Sequence, residues 1–191
     1  TALKAVDLSN IVTLTGFAFS GCSDLSSVTL GSVESYDPTA FQGCSADMTL
    51  TISAGGSSVI ENGAMYKIEK DASGNITDKI LVAYYGGGTL NVSWGTTAIA
   101  AKALKGNTSV TGVVIPATVK TVNADAFGGC SNLASVAFGY VPVGEERPDA
   151  QTVLAKGTGT AGVFYNCTSL SSVDFTGVVN IGDYAFCQCT A

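Results

Sequence analysis

The sequence predicts a solenoid of stacked coils, mostly β with short helical turns, in which each coil gives one strand to a parallel sheet. Three observations carry that expectation. A five-residue signature, Ala-Phe with a Cys three residues after the Phe, recurs along the 191 residues. Its copies stand 22 or 23 residues apart over much of the chain. Between copies, almost every apolar residue keeps a fixed distance from the signature, and such internal periodicity has to be read before any single element is assigned.

The signature appears as Ala18-Phe19-Ser20-Gly21-Cys22, Ala40-Phe41-Gln42-Gly43-Cys44, Ala126-Phe127-Gly128-Gly129-Cys130 and Ala185-Phe186-Cys187-Gln188-Cys189. Two looser copies are Ala103-Leu104-Lys105-Gly106-Asn107 and Val163-Phe164-Tyr165-Asn166-Cys167. The intervals are 22 residues from Phe19 to Phe41, 23 from Leu104 to Phe127 and 22 from Phe164 to Phe186. Phe41 to Leu104 is 63 and Phe127 to Phe164 is 37, so extra sequence enters the array at two places.

After each Cys or Asn, apolar residues follow at three, six and eight: Leu25, Val28 and Leu30; Val110, Val113 and Ile115; Leu133, Val136 and Phe138; Leu170, Val173 and Phe175. The last of these spacings is the alternation of a short strand with one buried face. A further apolar pair leads to the next signature, as in Ile11 and Leu14, Val33 and Tyr36, Val119 and Val122, and Val178 and Ile181. Coils of this kind bury their apolar side only by stacking on neighbours.

Taken in order, Thr1 to Phe19 supplies a first strand at Val6 to Leu8 and a return path. Phe19 to Leu30 and Phe41 to Ile52 are full units, the second slightly out of register at Met48. Residues 53–89 read as an insertion. Gly63 to Lys70 and Thr77 to Tyr85 are predicted strands of a β-hairpin around the turn cluster Asp71-Ala72-Ser73-Gly74-Asn75. Leu90 and Val92 are expected to re-enter the stack, and Val110 to Phe138 holds two strands. Pro116 is tolerated just after a strand, where no ladder donor is needed. The second insertion, 139–160, holds Pro142, Pro148 and Glu145-Glu146-Arg147 and reads as an exposed loop. Gly159 stands five residues before Phe164, where other units have an apolar residue, so this return path is expected to be degraded.

One strand per unit of about 20 to 29 residues is the arithmetic of an α/β-type leucine-rich repeat. The phased copies, above all Asn180-Ile181-Gly182-Asp183-Tyr184-Ala185-Phe186, resemble the BspA-type leucine-rich repeat family of bacterial cell-surface proteins. The resemblance spans nearly the whole chain apart from the two insertions, so residues 1–191 are expected to form one solenoid. It implies an extracellular or cell-surface location, a role in adhesion to host or matrix proteins, and no catalytic residues.

Composition excludes several other functions. The chain has no His, which removes the commonest general base and every Ser-His or Cys-His nucleophile pair. A net charge of −6 with one Arg, Arg147, argues against a nucleic-acid partner, whose phosphates need clustered Lys and Arg. No apolar run reaches the ~18 residues of a spanning helix. No leader is visible, and because both ends fall inside repeat units the chain is expected to be a piece of a longer protein.

Asp71, Ser73, Asn75 and Thr77 alternate as calcium-loop ligands do, but Gly74 is out of place and Val82 stands where a closing Glu belongs, so a plain turn is favoured. The pair Glu145 and Glu146 reads as a solvated loop rather than an acid–base dyad. Cys22, Cys44, Cys130, Cys167 and Cys189 share one register, filled by Asn107 in the sixth copy, and are expected to be inward, free thiols. A spacing of about 4.7 to 4.9 Å between rungs admits a bridge between neighbours by distance, while parallel side-chain directions oppose it. Cys187 occupies a variable slot and is expected to be exposed. No cofactor or metal is expected.

The outward residues follow from the same register. Asp7, Thr29, Thr51, Asn91, Val114, Ala137 and Asp174 form one column, and Ala5, Ser27, Thr49, Thr89, Gly112, Ser135 and Ser172 the one before it. Such small, mostly neutral residues contrast with the Trp, Tyr and Arg that dominate protein interfaces. Tyr66, Tyr84, Tyr85, Tyr140 and Arg147 in or beside the insertions, with Asp7, Asn91 and Asp174 on the sheet, are therefore the candidate contacts for a protein ligand. Two readings stand at this point: a protein-binding or adhesion module, and a passive spacer array whose tyrosines only cover the solenoid's flank.

Overall fold

The structure, a computed structural model, describes residues 2–31, 35–53, 57–149, 151–159 and 161–191; Val33 of the predicted return path lies outside them. The chain winds into a β-solenoid of seven coils, each with a front strand, a return strand and a corner, and six of the corners carry the signature. Front strands Ala5–Leu8, Ser27–Leu30 and Thr49–Ile52 form one parallel sheet, and Gly88–Asn91, Val110–Pro116, Ser135–Tyr140 and Ser172–Asp174 form another. The expected helical turns are nearly absent: among the described residues the one helical element is the 3₁₀ turn Pro38–Phe41.

Front-strand pairing places like on like. Val6 lies beside Val28 and Val28 beside Leu50; Leu90, Val113, Val136 and Val173 follow in the second sheet. Their side chains meet the signature aromatics in the interior. Phe19 stacks on Phe41 at 5.2 Å between ring centroids, Phe127 on Phe164 at 4.9 Å and Phe164 on Phe186 at 5.1 Å. Phe41, Phe127 and Phe164 are fully buried, each contributing about 1.5 to 3 kcal/mol by leaving water.

The corners explain the rest of the signature. In the regular corners the Phe-position amide donates to the carbonyl before the next Phe position, as Phe19 to Ala40 (2.8 Å), Leu104 to Ala126 (2.7 Å) and Phe164 to Ala185 (2.7 Å). The residue two after the Phe has positive φ, as at Gly21, Gly43, Gly106 and Gly129, which is why Gly is frequent there; Asn166 and Gln188 adopt the same conformation. Its amide bridges to the next corner, as Gly21 to Gln42 and Gly129 to Tyr165.

The cysteines complete this ladder. The thiols of Cys44, Cys130, Cys167 and Cys189 donate to the carbonyls of Phe19, Leu104, Phe127 and Phe164, one coil earlier, at 3.1 to 3.2 Å. Asn107 Nδ2 does the same to Tyr84 O (3.2 Å), which is the physical reason Asn replaces Cys there. All six thiols are free. Cys130 and Cys167 are buried, while Cys22, Cys44 and Cys189 are half-buried, and Cys187 is half-buried rather than exposed as expected. Desolvation pushes the Cys130 thiol up to about 12 and raises Cys167 as well.

Both insertions contain more of the solenoid than their sequence suggests. Strands Ala64–Lys70 and Ile76–Tyr84 form the expected hairpin, but Ser58–Glu61 adds a third antiparallel strand through the Asn62-Gly63 turn. Ile80 and Leu81 pair in parallel with Ala98 and Ile99, so the hairpin's second strand is the return strand of the third coil. The stack is therefore re-entered at Ile80 rather than at Leu90. In the second insertion, Thr152–Leu154 pairs with Thr121–Val122 and with Val178–Ile181. Leu154 is fully buried, ten residues before Phe164 instead of five, and the return path expected to be degraded is intact.

Candidate functional site

The hairpin is bound to the stack by its interior polar groups. Tyr66 is fully buried, its hydroxyl accepts from Ser93 N (3.0 Å), and the Lys79 ammonium lies 4.9 Å from its ring centre. Lys79, itself buried, pairs with Glu61. Burial of Glu61 opposes its charge, yet hydrogen bonds from Lys79 and Ser93 prevail and hold its carboxyl below the usual range. Tyr84 is buried with its hydroxyl on Gly87 O (2.9 Å). Tyr66 thus offers no face to a ligand and Tyr84 only a narrow edge at the corner, which corrects the expectation for both: alternation turns them toward the core. Tyr85 is half-buried; its hydroxyl bonds Tyr36 and donates to Pro38 O (2.6 Å), and its ring meets Phe41 edge-on at 5.6 Å.

The second insertion presents what the hairpin does not. Tyr140 ends its front strand half-exposed, and Val143 at the loop tip is fully exposed. Arg147 folds back so that Nη2 donates to Gly139 O (2.7 Å). Gly139 has φ +77°, and a side chain there would collide with Thr176 and with Arg147 Nη1, so only Gly lets the loop close on the strand end. The strand end and the loop after it therefore expose an aromatic ring and an aliphatic tip, with Glu145, Glu146 and Arg147 exposed in the same loop.

The outward columns have the expected membership, in two blocks. Asp7, Thr29 and Thr51 are paired neighbours, as are Asn91, Val114, Ala137 and Asp174. Thr51–Asp7 and Asn91–Asp174 belong to separate sheets. Asp7 and Asp174 are exposed, and local hydrogen bonds hold both below the usual carboxylate range: Asp7 accepts from Ser9 N (2.9 Å), and Asp174 from Thr176 Oγ1 (2.7 Å) and Thr176 N (3.0 Å). Asn91 has its carbonyl on Asn62 Nδ2 (3.2 Å). Asn91 and Asp174 belong to one column, Tyr140 stands at a strand end of the same sheet outside that column, and Asp7 lies in the first sheet. Asp71, the calcium-loop candidate, spends its carboxylate on the turn, accepting from Ser73 N and Asn75 N at 2.9 Å each.

A protein-family model described as BspA type Leucine rich repeat region matches six copies over residues 1–82, 97–141 and 160–191. The chain belongs to the BspA-type leucine-rich repeat family. The stretches left unmatched, 83–96 and 142–159, hold the third corner and most of the second insertion. Among solved structures, this BspA-type chain is similar to a leucine rich cell surface protein from Faecalibacterium prausnitzii A2-165, at 18% identity and a TM-score of 0.53 over 99% of this chain and 58% of that one. A leucine-rich repeat protein from Bacteroides ovatus ATCC 8483 matches at 16% identity and a TM-score of 0.49, over 99% of this chain and 47% of that one. The chain thus spans 58% of the first protein's length. No protein of curated function matches it. Leucine-rich repeats of this kind are in general non-catalytic and typically mediate protein interactions. Among the described residues, no helix is long and apolar enough to cross a membrane.

Proposed function

We propose that residues 1–191 act as one non-catalytic solenoid of a bacterial cell-surface protein and bind a protein of the host or its matrix. The contact surface is the outer face of the second front sheet, with Asn91 and Asp174, together with the adjoining loop that carries Tyr140, Val143 and Arg147; Asp7 extends it on the first sheet. The observation that carries this reading is the loop. It pins an exposed aromatic and an Arg, the residue types that dominate protein interfaces, onto a rigid strand end. The surface location is supported by the family and by the similarity to the Faecalibacterium cell surface protein.

A spacer array is the second reading, favoured by the way the outer hydroxyls satisfy one another: Thr51 Oγ1 donates to Val28 O (3.3 Å) and lies 3.1 Å from Thr29 Oγ1. A panel of immobilised host extracellular-matrix proteins separates the two. Y140A and R147A each weaken binding roughly tenfold if the loop is the contact, since a single interface anchor carries about 1 to 2 kcal/mol. Binding that neither substitution changes, or no binding to any of the panel, leaves the spacer reading.

A further inference from the structure

The third corner of the solenoid is short. Leu14 to Val28, Tyr36 to Leu50, Ile99 to Val113 and Val122 to Val136 each span 14 residues from return strand to next front strand, whereas Leu81 to Leu90 spans nine. Five residues of corner are missing, and a notch opens between the second corner (Tyr36 to Cys44) and the fourth (Ala101 to Ser109), floored by Tyr84 and Tyr85. The corner ladder fails there. In the regular corners the amides of Gly21, Gly106, Gly129 and Asn166 each reach the next corner's carbonyl. The equivalent Gly43 N–H and the Lys105 C=O have no partner among the described residues. Gln42 stretches across instead, its amide against Gly106 without a hydrogen bond, leaving a void of about 30 Å³. Beyond Pro38, the notch widens into an open hollow of about 430 Å³ between Leu14, Tyr36, Pro38 and Ala101, with Lys102 and Asp37 at its rim.

We propose that this notch binds an extended peptide segment of a partner protein, which takes the place of the missing corner. The gap lies where the third corner falls five residues short of its neighbours, so what it lacks is a single short stretch of extended chain. A main-chain amide group supplies both an acceptor for Gly43 N–H and a donor for Lys105 C=O, the complementarity by which an added strand joins a sheet edge. One apolar side chain enters the hollow beside Leu14 and Pro38, and Gln42 swings outward to admit the backbone. The site is separate from the sheet-and-loop surface proposed above.

The test is to pan a phage-displayed library of random linear heptapeptides on the intact chain. Enriched clones are expected to share an apolar position, to shift the Gly43 amide resonance, and to lose at least tenfold in affinity on A101W and on T15W, which fill the hollow from opposite walls at exposed positions. Q42A, which opens the notch, is expected to bind them several-fold more tightly, and Y140A to leave binding unchanged. No enrichment, or clones that bind A101W and T15W as well as the parent while both retain its circular dichroism, overturns the proposal. Clones that instead lose affinity on Y140A overturn it too and point back to the loop.

Discussion

Cys130 illustrates how a repeat position is chosen. Its thiol fills a narrow interior place and still supplies a proton to Leu104 O, so neither a larger residue nor one lacking a donor is equivalent. Cys130→Ala is expected to cost about 1 to 3 kcal/mol by opening a small void and removing the thiol's bond to a carbonyl that Asn107 N still serves (3.0 Å), read as a lower midpoint in urea. Burial also keeps the thiol protonated. Because its folded pKa of about 12 lies above its ordinary 9.0, the unfolded state loses the proton first. The stability this group contributes is complete below pH 9 and is lost as pH rises toward 12. Thermal melts across that window are expected to fall more steeply for the parent than for Cys130→Ser, which has no thiol to titrate. The same shift predicts that iodoacetamide at pH 8 leaves Cys130 and Cys167 unlabelled in the native protein and labels both after unfolding, a difference that peptide mass spectrometry measures.

At the scale of elements, both insertions turn out to be partly core. Leu154 is fully buried, so Leu154→Ala is expected to cost about 2 to 5 kcal/mol, as other buried leucines do; an exposed loop residue would cost almost nothing. The hairpin's tie to the stack is electrostatic as well as apolar. Glu61→Gln leaves the Lys79 ammonium buried without its anion, and because Glu61 itself is 41% exposed the expected loss is about 1 to 3 kcal/mol, below that of a fully buried pair. The contribution of Glu61 has a definite pH sign. Its folded pKa is depressed, so the stabilisation is present above the unfolded value and disappears as pH falls through the folded one. Acid titration of the parent and of Glu61→Gln is expected to converge at low pH.

Across the whole molecule, the regular interfaces are interrupted at one level. Thr49–Ile52 and Gly88–Asn91 belong to separate front sheets, the return strands of the first two coils stand apart from the seven-stranded return sheet, and the corner ladder lapses at the third corner. Two apolar cores result, one around Leu25, Leu30 and Phe41 and one around Leu104, Phe127 and Phe164, with the hairpin lending Met65 and Ala83 to the first and Tyr66 and Leu81 to the second. In a solenoid, stability is close to a sum over coils and their interfaces, so a weak interface divides the cooperative unit. Urea unfolding is therefore expected to give a different midpoint by the fluorescence of half-buried Trp94, two residues after Val92 of the second core, than by far-ultraviolet circular dichroism; coincident curves would show one unit.

The periodic side chains determined the coil, its front strands and the membership of the outer columns, because stacking obliges equivalent residues to meet equivalent residues, and a one-dimensional repeat is visible in a one-dimensional string. The third corner carried a faint trace of the same kind, Ala83-Tyr84 followed by Gly87, hidden because five missing residues break the phase. Sequence did not reveal that Ile80–Leu81 and Thr152–Leu154 serve as return strands, nor that Tyr66 and Tyr84 face inward. Those choices belong to the tertiary structure: a return strand is set by which edge it can pair with, and the direction of a hairpin side chain depends on which core lies beneath it. The notch likewise exists only in three dimensions, where the second and fourth corners come to flank a corner that the chain shortens.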